Sequence, residues 1–437
     1  MNLRLSSLLE RLRSSLFFVP MLAVIAAAFL AFAGLAVDRH VDTTLADLPL
    51  GFTSTVESAR TLLGVIAGAT ISFAGIAFSV SLLIIQLASS QYSPRVVHTL
   101  FRDPFNKRVM ALVVGTFTYC VVVLRSVRSA LDSGGDPVIP NISVAVAVVL
   151  GIATILAIVA FINHSAHAMD VSEILERIRR ETTDQIRAEW TLSEPASLTD
   201  NEIPPPSTGP TTVIRADRSG WIQQIDTAAL IDCLPDGTTA RVETYAGRYT
   251  MERTRLITIS PATDAADLET ALRSAFVIGE TRTMQQDVTY GLRQLVDVAV
   301  KALSPGINDL TTAQETIFHS AAVLSELLRH QPPPAVISDG DRRVVMAQQP
   351  THGELIQLAF EETRRAAATH PTVCLYLLAT LDALIESLTA EGLTPPTIEL
   401  HRQARLVAKG CGRSTPLDED IELVNDTYAH KFNRRSL

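Results

Sequence analysis

Four long stretches without a charged side chain dominate the first 165 residues of the chain. A transmembrane helix needs about 20 apolar residues, because it rises about 1.5 Å per residue across a hydrocarbon layer about 30 Å thick. The third stretch is the shortest, with 16 residues. We predict four transmembrane helices, at Leu16–Ala36, Thr61–Leu87, Val109–Leu124 and Ile142–Ile162.

The first stretch also has features of a secretory signal peptide, since Arg4, Arg11 and Arg13 precede it. It is longer than a typical signal-peptide core, and further spans follow it, so we expect an uncleaved anchor. Basic residues are also concentrated between the second and third stretches, in the loop from Ser93 to Arg108. Because Lys and Arg mark cytoplasmic loops, we expect the N-terminus and the C-terminal region to be cytoplasmic. The Ser93–Arg108 loop itself is either an interfacial helix or a plain basic connection.

Small and polar residues form one stripe along the second predicted span, because they recur at spacings of three, four or seven. Such a stripe favours close packing of membrane helices. The alternative is that Ser72, Ser79 and Gln86 line a water-filled path in an oligomer, because polar side chains in a membrane turn away from lipid. The candidate pore or packing residues, beginning after Thr61, are Gly64, Gly68, Ser72, Gly75, Ser79 and Gln86.

The pattern changes after the fourth span. A helical extension over 166–192 carries charges on one face, and a proline-rich segment over 193–210 is typical of a linker. Short β-branched runs separated by turn residues over 211–262 predict a small antiparallel β domain. The pattern over 263–437 is helical. The predicted fold is therefore mainly α, with a four-span transmembrane domain at 1–165 and a cytoplasmic region that contains a small β segment and a helical domain.

One turn in the helical region concentrates polar side chains. Thr312 and Glu315 after it predict a capping box. Asn and Asp stabilise turns and helix starts through nearby backbone N–H groups, which explains most of this pattern. The alternative is a site for a small ligand or ion at a helix N-terminus, where anions are favoured. Its candidate residues are Arg282, Gln286, Asp287 and Arg293 before the turn, with Asn308 and Asp309 in it.

Composition agrees with a membrane domain joined to an aqueous one. Hydrophobic residues make up 47% of the 437 positions and charged residues only 19%, below the usual value of about 25%. Up to Ser165 the chain has 11 Lys or Arg against 8 Asp or Glu, a net charge of +3. Since the whole chain carries −9, the remainder carries −12. An acidic second half argues against nucleic acid as a partner.

The cytoplasmic region contains no phosphate loop, dinucleotide fingerprint, zinc-protease helix or serine-nucleophile elbow. Its cysteines are too widely separated in sequence for a metal-binding pair. We therefore expect no cofactor, metal or catalytic residue. An enzyme has no positive support, although sites assembled from distant residues keep that question open.

Two segments resemble a known family. They are Gln86-Leu-Ala-Ser-Ser-Gln-Tyr-Ser-Pro-Arg95, and Ala302-Leu-Ser-Pro-Gly-Ile-Asn-Asp309 followed by Thr312-Ala313. Both resemble bacterial predicted membrane proteins grouped as domain of unknown function 2254, and the likeness covers nearly the whole chain. Leu310 and Thr311 depart from the Pro and aromatic residue expected there. The resemblance implies a multi-pass protein of the bacterial inner membrane and no known chemistry.

Two functional hypotheses follow. In the first, the second spans of several copies surround an ion-conducting pore that the cytoplasmic domain regulates. In the second, the spans anchor a sensory or scaffolding domain that binds a ligand or partner through its helical region. The expected partners are the lipid bilayer, further copies of the chain and a small ion or ligand.

Overall fold

The computed structural model of the protein describes residues 18–41, 55–91, 104–128, 139–167, 170–192, 205, 208–263, 266–393 and 395–432. The chain forms two compact units that divide after Asp170. We call the described residues from 18 to 170 the N-terminal unit and those from Val171 onward the C-terminal unit. The predicted linker over 193–210 and the basic loop that begins at Ser93 lie largely outside the described residues.

The N-terminal unit contains four long helices. They are α1 (Phe18–Val41), α2 (Val56–Gln91), α3 (Pro104–Leu124) and α4 (Asn141–His167). Helix α3 begins five residues before the predicted third span, so the shortest apolar stretch belongs to a helix of 21 residues. That length is sufficient to cross a bilayer without an unusual tilt.

Helix α3 packs against both α1 and α4. Gly115 of α3 brings its backbone close to α1, because a Cβ atom at this position would lie only 3.6 Å from the carbonyl oxygen of Ala23. The hydroxyls of Thr116 and Thr154 meet across the α3–α4 contact at 3.0 Å. Small residues and paired hydroxyls of this kind are typical of helix contacts in membranes.

Asp38, near the end of α1, caps the beginning of α4. Its carboxylate accepts hydrogen bonds from the backbone N–H groups of Ile142 and Ser143 at 2.9 and 3.1 Å, and from the Ser143 hydroxyl at 2.5 Å. The hydroxyl of Tyr119 on α3 donates to the Ser143 carbonyl oxygen at 3.1 Å. Asp38 is buried, and these bonds satisfy N–H groups that have no partner within their own helix.

Five described helices are long and apolar enough to cross a membrane, one more than the four predicted. The first four are those of the N-terminal unit. The fifth, Pro371–Ala390, belongs to the C-terminal unit, where its apolar face is buried against neighbouring helices. This helix is long and apolar enough to resemble a membrane span because a helix packed among other helices is nearly as apolar as one surrounded by lipid.

The C-terminal unit combines nine helices with ten strands among its described residues. The helices are α5 (Val171–Glu189), α6 (Thr227–Cys233), α7 (Ala266–Ser274), α8 (Val288–Ala302), α9 (Leu310–Arg329), α10 (His352–Ala367), α11 (Pro371–Ala390), α12 (Pro395–Ser414) and α13 (Asp418–Phe432). The strands are β1 (Thr191–Leu192), β2 (Thr212–Arg215), β3 (Gly220–Ile225), β4 (Thr239–Val242), β5 (Tyr249–Thr250), β6 (Arg255–Ser260), β7 (Phe276–Gly279), β8 (His330–Gln331), β9 (Val336–Asp339) and β10 (Arg342–Val345).

The strands form three sheets, with the orders β2-β6-β4-β10-β9, β5-β3-β7 and β1-β8. All described pairs are antiparallel except β10 with β4, where Val344 lies opposite Ala240. Strands β7 to β10 come from a range in which only helices were expected. The hairpin of β9 and β10 turns at Gly340, whose φ is +57°, and joins the sheet about 100 residues after β4 along the chain. The pairing of β10 with β4 leaves no local signal, whereas Asp339-Gly340 between two β-branched runs is a hairpin signal that the sequence prediction missed.

A close helix crossing fixes α5 on the rest of the C-terminal unit. Thr182 of α5 is fully buried and donates to the Ile178 carbonyl oxygen at 2.6 Å. It lies directly against Gly291 of α8, where an added Cβ atom would be 2.8 Å from Thr182 Cβ and would overlap the hydroxyl. Glycine at position 291 therefore sets the distance between α5 and α8.

We predict that Gly291→Ala lowers the free energy of unfolding by about 1–3 kcal/mol, because the methyl group forces these helices apart. Thermal unfolding of the purified full-length protein measures this. Gly353→Ala is the matched control, since a Cβ atom there meets only the Thr351 hydroxyl, at 3.9 Å. A Gly291 variant as stable as the control would contradict the proposed crossing.

Candidate functional site

The stripe of small residues on α2 faces away from the other described helices of its unit. Cβ atoms added at Gly64, Gly68 or Gly75 would meet no described atom within 4 Å. Ser72, Ser79 and Gln86 are also exposed. The buried side of α2 instead carries Ala59, Leu63, Ala67, Thr70, Ala74, Ala77 and Ile84. At 3.6 residues per turn, this buried side lies roughly 150° around the helix from the stripe.

The two serines of the stripe already have backbone partners. The Ser72 hydroxyl donates to the Gly68 carbonyl oxygen and the Ser79 hydroxyl to that of Gly75, both at 2.9 Å. Each hydroxyl proton is therefore satisfied without water. The stripe thus has the geometry of a helix-packing surface that is not used within the described part of the chain.

The six residues of the predicted ligand site do not converge. Arg282, Gln286 and Asp287 lie at the start of α8, whereas Asn308 and Asp309 follow its other end. Helix α8 has 15 residues, so about 22 Å separates its two ends. The remaining residue, Arg293, forms two hydrogen bonds with Glu362 of α10, at 2.6 and 2.8 Å.

Asp287 and Arg282 form a compact polar group at the start of α8. The Asp287 carboxylate accepts from the Thr289 N–H at 3.1 Å and from its hydroxyl at 2.7 Å, which caps the helix. Arg282 Nε donates to the same carboxylate at 2.5 Å. The guanidinium also lies over the rings of Trp221 and Tyr290, at 5.6 and 5.2 Å. The charge of Asp287 is therefore paired within the protein.

Gln286 joins α8 to the strands. Its side-chain oxygen accepts from the Ile225 N–H at 2.8 Å, and its amide donates to the Ile225 carbonyl oxygen at 3.2 Å. Ile225 is the last residue of β3. Gln286 thus extends the hydrogen-bonding pattern of that strand.

The Asn308-Asp309 turn starts α9. Asn308 adopts a left-handed conformation with φ of +50°, which Asn tolerates better than most residues. Asp309 caps α9 by accepting from the Thr312 N–H at 3.0 Å and from its hydroxyl at 2.6 Å. These bonds hold the pKa of Asp309 below its usual value. The predicted capping box of Thr312 and Glu315 is therefore wrong, because Asp309 is the cap and Thr312 is its donor.

A cavity of about 430 Å³ lies between the strands and the helices of the C-terminal unit. The start of α8 forms one wall and the start of α10 another. Of the lining residues, the sequence predicted Gln286 and Asp287 as candidate ligand residues and did not point to the others. The lining side chains that matter most for chemistry are Glu189, Trp190, Tyr245, Gln286, Asp287 and His352. Three consecutive prolines, Pro332, Pro333 and Pro334, belong to the apolar part of the lining, and Gln348, Gln349 and Thr351 add to its polar part.

Two lining groups have shifted pKa values. Partial burial raises the pKa of Glu189, although the Gln185 amide, which donates at 3.3 Å, opposes this shift. Burial lowers the pKa of His352, and a hydrogen bond with the His330 backbone opposes that shift. The imidazole is therefore neutral at neutral pH.

The described part of the chain contains no group of three or more His, Cys, Asp or Glu side chains that could hold a metal ion. A signal for the cavity was present in the sequence, because Trp190 is one of only two tryptophans and ends an amphipathic helix. Nothing local linked it to Tyr245 or His352.

Four long apolar helices in one unit and a mixed helix and strand unit after them define a multi-pass membrane protein. The family described as predicted membrane protein, domain of unknown function 2254, matches residues 13–383. The chain belongs to this family, which confirms the resemblance found in its sequence.

Similar relatives include uncharacterized proteins of Mycobacterium bovis and Mycobacterium tuberculosis. Each is 29% identical to this chain over 384 residues, which cover 86% of the chain and 72% of the relative. No solved structure matches the chain.

We predict that His352 makes the protein less stable in acid. The unfolded chain binds a proton at this side chain near the ordinary pKa of about 6.5, whereas the folded protein binds it only at lower pH. Stability is therefore lost as the pH falls below about 6.5. Melting temperatures of the full-length protein at about pH 7.5 and about pH 5 should differ less in His352→Gln than in the wild type. His430→Gln, at an exposed position, is the control and should retain the wild-type difference.

Proposed function

We propose that this protein is a ligand-binding protein anchored in the bacterial inner membrane, with its N-terminus and C-terminal unit in the cytoplasm. The cavity between the strands and helices of the C-terminal unit is the observation that carries the proposal. Ligand sites are typically concave and apolar with a few convergent polar groups, and their volumes are on the order of 300–1,000 Å³. The cavity has a volume in this range, and its lining combines apolar side chains such as Val288 and Met346 with polar ones.

The position of the cavity supports a sensory role. Its lining residues come from α5, from the strands and from the starts of α8 and α10. A bound ligand would therefore contact several elements that are distant in sequence. Since α5 begins at Val171, shortly after α4 ends at His167, a change in α5 would occur next to the membrane segment along the chain. Lipid and a small ligand are the proposed partners.

We predict that a small molecule stabilises the wild-type protein but not Ala347→Phe. Ala347 is half-buried in the cavity wall, so a phenyl group there would occupy ligand volume. The measurement is a thermal-shift screen of full-length protein in nanodiscs with cationic, neutral and anionic metabolites. A ligand at 100 times its Kd adds about 2.7 kcal/mol, which is readily measured. Ala429→Phe, at an exposed position of α13, is the control. A screen in which no compound stabilises the wild type would contradict the proposal.

A second candidate function is a homo-oligomeric ion-conducting pore. The stripe on α2 supports it, because these small residues face away from the described helices of their own unit. Small residues allow close approach between membrane helices, so copies of the chain would meet along this stripe. In a sufficiently large ring, Ser72, Ser79 and Gln86 would line the central path.

We predict that Gly68→Leu reduces the mass of the particle in nanodiscs, because the larger side chain blocks contact between copies. Leu62→Phe is the control, since Leu62 lies outside the stripe and is 40% exposed. Currents in planar bilayers then separate the alternatives. If the protein is an oligomer that never conducts, the stripe serves only for packing between copies. If the wild-type protein is a monomer, both the oligomer and the pore are contradicted.

A further inference from the structure

We infer that the cavity of the C-terminal unit takes an organic cation with an aromatic or aliphatic body. This inference rests on the proposed ligand-binding function and specifies the chemical class of the ligand. None of the lining residues in the described part of the chain is Lys or Arg. Two of them, Glu189 and Asp287, are acidic. An anionic ligand would thus be desolvated beside carboxylates with no cation to pair it.

The helix starts in the cavity wall do not provide an anion site either. The first turn of α8 is capped by Asp287. That of α10 has a capping box, in which the Thr351 hydroxyl accepts from the Glu354 N–H at 3.3 Å and Glu354 accepts from the Thr351 N–H at 2.8 Å. A helix start attracts anions through unpaired N–H groups and their partial positive charge. The protein's own carboxylates already compensate that charge at both helices.

Glu189 is the acidic group available to a ligand. Asp287 is paired with Arg282, whereas Glu189 forms no salt bridge with a described residue. Its side chain accepts a hydrogen bond from the uncharged Gln185 amide, and Glu189 lines the cavity at the end of α5. The Coulomb attraction of a positive group placed beside it would offset the desolvation that partial burial imposes on this carboxylate.

The aromatic side chains suit the same ligand. Trp190 follows Glu189 directly, is 6% exposed and lines the cavity together with Tyr245. Aromatic faces attract cations, and the attraction is largest for Trp and for sites shielded from water. The cavity volume of about 430 Å³ fits an organic molecule better than a bare metal ion.

Trp190 allows binding to be observed directly. The chain has only two tryptophans, so Trp221→Phe leaves Trp190 as the sole indole reporter. Full-length protein carrying this substitution, in nanodiscs, is titrated with three aromatic probes of similar size. They are the cation benzyltriethylammonium, the neutral N,N-diethylbenzamide and the anion 4-phenylbutyrate. We expect a saturable change in Trp190 fluorescence with the cation at the lowest Kd, and weaker cation binding at high salt.

In the same background, Glu189→Gln should raise the Kd of the cation about tenfold and leave that of the neutral amide unchanged. Glu181→Gln, at an exposed position of the same helix, is the control and should bind as the parent does. Tyr245→Leu tests the aromatic contribution while retaining Glu189, so it covers the case in which Glu189→Gln fails to fold. Tyr245→Leu should raise the Kd of the cation more than that of the neutral amide.

Three results would overturn the inference, and they separate it from the proposed function. Tighter binding of 4-phenylbutyrate, or equal binding of cation and amide without an effect of Glu189→Gln, would exclude a cation-selective site but retain a ligand site. A Trp190 signal unchanged by all three probes would count against both the cation and the cavity as a ligand site.

Discussion

Carboxylates that cap helix starts organise both units of this protein. Asp38 satisfies the first N–H groups of α4 from another helix, while Asp287 and Asp309 satisfy those of α8 and α9 from the preceding residue. An N–H group buried without a partner is costly, and within a bilayer water cannot replace that partner. These three aspartates therefore decide where helices begin. Of the three, Asp287 lines the cavity, where it compensates the positive start of α8 that would otherwise attract an anion.

Small residues have two separate roles in the apolar helices. Gly34, Gly115 and Gly151 face other helices of the same unit, and their missing side chains bring the α1, α3 and α4 backbones close to neighbouring atoms. The glycines of α2 meet no described atom of their own unit. Their spacing resembles that of a packing surface, but only the tertiary structure separates glycines that contact helices of their own unit from glycines that do not.

Much of the fold was predictable from the sequence. The mainly α class and the four apolar helices of the N-terminal unit follow from hydrophobic length, because the bilayer imposes the same requirement on every span. The candidate ligand residues were harder to interpret. A polar turn indicates hydrogen bonding but not which groups are bonded. Arg293 bonds Glu362, Asn308 forms a left-handed turn and Asp287 caps α8, so the three residues act at separate places. The β9–β10 hairpin was missed although its Asp339-Gly340 turn is a local signal, whereas the pairing of β10 with β4 was not predictable because β4 is distant in sequence.

The sequence by itself determined the membrane character of the chain, its family and the division into an apolar half and an acidic half. These properties depend on composition and local periodicity, which do not require knowledge of distant contacts. The tertiary structure decided which side of α2 is exposed, that Pro371–Ala390 packs within the C-terminal unit, and that Glu189, Trp190 and Tyr245 share one cavity. Each of these depends on contacts between elements far apart along the chain, where local patterns carry no information.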